Sequence, residues 1–98
     1  MPGYVVASYP ITDPEGYEPY VPASGPTVAA AGGEILVADF ESAAIESEPG
    51  HVTVVLRFDS KDAATAWYNS PEYTAARPLR ADNSEGMLVI ADGFEPPA

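Results

Sequence analysis

A chain of 98 residues carrying four Lys plus Arg against 15 Asp plus Glu, a net charge of −11, has the length of one domain. Such an acidic balance repels phosphate backbones and anionic membrane surfaces, which excludes nucleic acid and membranes as expected partners. No cysteine occurs, so disulfides and thiolate metal sites are absent, and no apolar stretch approaches a membrane span.

A domain this small buries only about 60 to 65% of its unfolded surface, so its core is thin and pairing with a second copy is the natural way to add stability. Eleven prolines do not make it a disordered chain, because 46% of its residues are apolar and they recur periodically. The opening MPGYVVASYP has no basic leader, and the expected location is cytoplasmic.

Residues 3–11, GYVVASYPI, alternate Tyr4, Val6 and Ser8 with Val5, Ala7 and Tyr9, the pattern of a first strand that Pro10 ends. Asp13-Pro14-Glu15 then opens a helix expected near residues 14–21. Pro19, Pro22, Gly25 and Pro26 interrupt the pattern, which predicts an irregular link and a second helical piece over 26–31, stopped by Gly32-Gly33. Residues 34–40 read as strand two, with a bulged continuation over 45–48 toward a Pro49-Gly50 turn.

HVTVVLRF, residues 51–58, is the strongest strand: Val52, Val54, Leu56 and Phe58 form an apolar face expected under the helices, with His51, Thr53, Val55 and Arg57 opposite. Ser60 caps a helix with Ala63, Ala66, Trp67 and Ser70 on one side. Ser70-Pro71-Glu72 opens another, carrying Tyr73, Ala76 and Arg80 on one face and expected to be shortened by Pro78. MLVIAD, residues 87–92, is the last strand, and a Pro-rich tail follows, expected to fray or to cover a partner.

Strand, helix, strand, strand, helix, strand is the ferredoxin-like βαββαβ order, an α+β fold in which residues 1–98 make one domain. Its four-stranded antiparallel sheet carries the helices on one face. The bare face, with His51, Thr53, Val55 and Arg57, is expected to meet a second sheet in a homodimer, a dimeric α/β barrel with room for a polar pocket.

The residues able to do chemistry are few. His51, the only histidine, could act as a general base, although a histidine beside a turn is first of all a solvated strand end. Asp39, Glu41, Glu46 and Glu48 lack the compact spacing and turn glycine of a cation loop and read as a solvated edge, so no metal is expected. Trp67 reads as core or as a pocket wall. Tyr73 and Arg80 lie seven residues apart on one helix face, where Arg80 either pairs with one of the many carboxylates or offers a charged fork to an acidic ligand. Phosphate loops, nucleophile elbows and cofactor motifs are absent, and no cofactor is expected.

The segment AWYNSPEYTAARPLR, residues 66–80, together with GYVVA, TDPEGYEPY and the Gly32-Gly33 pair, resembles domain-of-unknown-function family 1330 over nearly the whole chain. The resemblance implies the dimeric α/β-barrel superfamily, which also holds cofactor-independent monooxygenases and isomerase-like enzymes. Ala31, Ala38 and Arg57 depart from the family pattern, and no role is carried over to them. The expectation is a cytoplasmic homodimer that binds a small acidic or aromatic molecule through Tyr17, His51, Trp67, Tyr73 and Arg80. A cofactor-independent monooxygenase or isomerase, and a purely structural dimer, are the alternatives.

Overall fold

The structure, a computed structural model, describes residues 1–96. Its elements in chain order are β1 (Gly3–Tyr9), α1 (Pro14–Tyr17), α2 (Tyr20–Ala30), β2 (Glu34–Asp39), β3 (Val52–Phe58), α3 (Lys61–Tyr68), α4 (Pro71–Ala81) and β4 (Met87–Asp92). The strands form one antiparallel sheet in the order β2-β3-β1-β4, as the ferredoxin-like pattern requires.

Several boundaries differ from the sequence expectation. The second helix begins at Tyr20, six residues before Pro26, because Pro22 sits in its first turn, where the missing N–H has no intrahelical partner anyway. Pro26 and Pro78 are both absorbed inside helices, and α4 runs on to Ala81. The C-terminal stop is as expected: Gly32 at φ +76° and Gly33 donate to the Ala29 and Val28 carbonyls at 3.0 and 2.9 Å. No strand continues over 45–48, and strand three starts at Val52, leaving His51 outside. Ser60 and Ser70 cap α3 and α4 by accepting from the Ala63 and Tyr73 amides. In α3 it is Ala64, not Ala66, that is buried beside Trp67. The tail has Gly93 donating to Pro2 O at 2.8 Å, and its last two residues lie outside the described residues.

The register sorts the side chains into two rows. Ala38, Val54, Ala7 and Leu88 line up across the four strands on the helix side, and one step along, Val37, Val55, Val6 and Val89 line up on the bare side. A bulge between Ile35 and Val37 makes this possible. Without it, Ile35 and Val37 would share a face; with it, Ile35 pairs with Leu56 and Ala38 with Val54, so both point toward the helices.

Under the helices lie two apolar clusters. Val5, Val28, Leu56, Phe58, Ala64, Trp67 and Tyr73 make the larger one, and Ala7, Tyr9, Tyr17 and Val52 the smaller. Tyr20, Val54 and Leu88 touch both. The bare face leaves Leu36, Val37, Met87 and Val89 exposed, more apolar than the mixed surface expected from β3 alone.

Candidate functional site

At the seam between the two clusters the packing is incomplete. Ala38, Val54, Ala7 and Leu88 form the floor of a cavity of about 100 Å³ between the sheet and α2. Its small residues explain it: Ala38 and Ala7, on either side of Val54, line it together with Gly25 on α2, where an added Cβ would meet nothing within 4 Å. Val21, Ile35 and Phe40, all substantially exposed, also line it and mark its mouth between α2 and β2.

The polar groups are concentrated in tyrosines and one arginine. Tyr9 and Tyr17 join hydroxyls at 2.6 Å, and Tyr20 and Tyr73 at 2.8 Å. Arg80 Nε donates to Tyr73 Oη at 3.3 Å. Tyr9, Tyr17, Tyr20 and Arg80 line the cavity, whereas Tyr73, fully buried, stands behind Arg80 and orients it. Among the described residues the only side-chain ion pair joins Arg57 to Glu34 at 3.2 Å, so Arg80 has no carboxylate partner despite the chain's surplus of acids.

Burial pushes Tyr9 well above the ordinary phenol range, and the hydrogen bond with Tyr17 adds to it. Tyr20 rises for the same reasons, burial first and then Tyr73. Tyr17 is also raised by burial, against the pull of its bond to Tyr9 and of the Arg80 charge. For Arg80, burial is the largest influence and works against the charge, but Tyr73 and Tyr20 together outweigh it and the guanidinium is held more firmly protonated. Around neutral pH the cavity wall therefore has three neutral phenols, Tyr9, Tyr17 and Tyr20, and one fixed cation.

Of the five residues singled out in the sequence, Tyr17, Trp67 and Arg80 line the cavity and Tyr73 braces it. Trp67 is also core: its indole lies 4.1 Å from the Tyr73 ring centroid and 5.5 Å from that of Phe58, with Nε1 donating to Thr27 Oγ1 at 3.0 Å. His51 is not brought to the site. It is exposed at the sheet's end, where its carbonyl accepts from the Ser42 amide, on neither the cavity floor nor its walls. The cavity itself is on the helix side of the sheet, whereas the sequence reading expected a pocket on the bare side. Tyr9, Tyr20, Gly25, Ala38 and Phe40 were missed; only the three-residue spacing of Tyr17 and Tyr20 hinted at a shared face.

The acidic residues Asp39, Glu41, Glu46 and Glu48 do not gather, and among the described residues no three His, Asp or Glu side chains converge as for a metal ion. No helix of the described residues is long and apolar enough to cross a membrane.

Residues 2–94 match the model of the family described as Domain of unknown function (DUF1330). The chain belongs to this family. Solved structures similar to this DUF1330 chain share its fold at low identity. A protein of unknown function from Rhodopseudomonas palustris is 16% identical with a TM-score of 0.77, over 97% of this chain and 84% of that one. A dimeric ferredoxin-like protein of unknown function from Thermobifida fusca is 22% identical with a TM-score of 0.66, over 94% and 91%. SnoaB, a cofactor-independent oxygenase from Streptomyces nogalater, is 10% identical with a TM-score of 0.63, over 97% and 95%. No curated protein matches the DUF1330 chain.

Proposed function

We propose that this DUF1330 protein binds a small organic molecule, acidic or aromatic, in the cavity between α2 and the sheet, and that it does so as a homodimer. One observation carries the ligand reading: Arg80 reaches the wall of an apolar cavity with no carboxylate to neutralise it. A half-buried cation costs free energy unless something compensates it, and phenol hydroxyls compensate only in part. An acidic ligand completes the site. The dimer reading rests on the valine row of the bare face and on similar folds described as dimeric.

A second reading, cofactor-independent turnover of that ligand, draws on the likeness to SnoaB. It has less support, because no histidine or carboxylate lines the cavity to take a proton and its tyrosines are held neutral.

Thermal-shift titration with a panel of small organic acids tests the binding reading. Arg80→Ala and Arg80→Lys should both lose the stabilisation, since a lysine does not reproduce the planar two-pronged donor. The reading falls if no acid raises the melting temperature, or if both variants respond as the parent does.

A further inference from the structure

The hydroxyl hydrogens can be counted. Tyr9 and Tyr17 have two between them and use one in their mutual bond; the other has no acceptor in the described structure. Tyr20 and Tyr73 likewise use one of two in theirs, and Tyr73 spends an acceptor lone pair on Arg80 Nε. The Arg80 guanidinium has Tyr20 as its other hydroxyl neighbour and pairs with no carboxylate among the described residues. Among the described residues no Asp, Glu, Asn or Gln side chain lines the cavity; Ser24 adds a hydroxyl, and the Trp67 indole N–H is already given to Thr27. The wall is therefore rich in donors and poor in acceptors, with a positive charge at its centre.

We infer that the cavity selects an oxyanion on a single ring, an aromatic or cyclic acid bound in its ionised form, and rejects the neutral amide and the amine of the same shape. This rests on the binding reading above and narrows it. An oxyanion uses the guanidinium fork and leftover hydroxyl hydrogens together. An amide brings two N–H donors to a site with few acceptors, and an ammonium brings a like charge to Arg80. The volume, about 100 Å³, and the aromatic walls of Tyr9, Tyr17, Tyr20, Phe40 and Trp67 suit one ring rather than a fused system.

The site's own charge is constant across neutral pH. The charged and titratable groups facing Arg80 are Tyr9 on β1, Tyr17 on α1, Tyr20 on α2 and Tyr73 on α4, and no carboxylate contacts it. Any pH dependence of binding between about pH 6 and pH 9 then belongs to the ligand.

The test is calorimetric titration of the full chain with benzoate, benzamide and benzylamine, and with 4-nitrophenol across that pH range. Benzoate should bind about ten- to a hundredfold more tightly than benzamide, the worth of a charge-assisted hydrogen bond. Benzylamine should not bind. Benzoate affinity should stay level with pH, while 4-nitrophenol affinity should climb as that phenol ionises. Arg80→Met, which keeps volume without charge, should abolish the preference of benzoate over benzamide, with its melting curve reporting that it folds. Benzamide matching benzoate, or a preference surviving in Arg80→Met, would sink the oxyanion inference while leaving the cavity a binding site. Failure of all four ring compounds to bind overturns both.

Discussion

Arg80 Nε meets Tyr73 Oη at 3.3 Å, and the same hydroxyl meets Tyr20 Oη at 2.8 Å, so one buried tyrosine links a cation on α4 to a ring on α2. Tyr73→Phe deletes that junction without changing the ring's packing. Two polar groups are left short of a partner, which should cost about 1 to 3 kcal/mol of stability. Ligand affinity should fall as well, because the guanidinium loses the contact that fixes its direction. Urea unfolding and calorimetry on the variant check both, and an unchanged affinity would show that Arg80 needs no brace.

Trp67 is only 2% exposed and is packed between Phe58 and Tyr73. Trp67→Ala should cost about 3 to 5 kcal/mol, the range for deleting a large buried ring. A loss below about 1 kcal/mol in chemical denaturation would place this tryptophan among ordinary exposed positions.

Gly25 gives a variant in which stability and binding should part company. It sits inside α2 with open space where its Cβ would be. Gly25→Leu should raise stability by up to about 1 kcal/mol through helix propensity. The new side chain should occupy the cavity by the mouth and remove binding of any ring compound. A variant that melts higher and still binds benzoate would show that entry is elsewhere.

Alkaline pH should destabilise the fold. Burial raises Tyr9 and Tyr20 above their unfolded value of about 10, so the unfolded chain gives up these protons first. Their contribution is complete below about pH 10 and is lost as pH rises beyond it. Urea midpoints should therefore hold level to that point and then drop. Ultraviolet titration of the native protein should show part of its six tyrosines resisting ionisation. All six ionising together near the ordinary value would contradict the buried network.

The bare sheet face should pair with that of a second copy. Light scattering after size exclusion should return twice the mass of the 10.3 kDa chain at micromolar concentration, insensitive to moderate salt because the contact is built on Val6, Val37, Val55 and Val89. A lasting interface buries on the order of 1,600 Å² in total, and substituting Val55→Lys at its centre should give monomers. A monomeric mass for the parent chain refutes the barrel.

Local chemistry made much of this fold legible in the sequence. Alternation in HVTVVLRF assigns Val52, Val54, Leu56 and Phe58 to one face, and Ser60, Ser70 and Gly32 mark helix ends, because periodicity and capping act over a few neighbouring residues. The seven-residue spacing that joins Tyr73 to Arg80 belongs to the same class. The cavity does not. Its floor needs Ala38, Val54, Ala7 and Leu88 in one row, which depends on the pairing register and on a bulge that turns Ala38 and Phe40 to the helix side. Its roof needs Gly25, which became accessible only when α2 continued through Pro26 against the propensity of its own sequence. Which hydroxyl met which, and that Arg80 found no carboxylate while His51 stayed outside, were likewise settled by packing, since those partners are far apart in the chain and only the closed tertiary structure sets their distances.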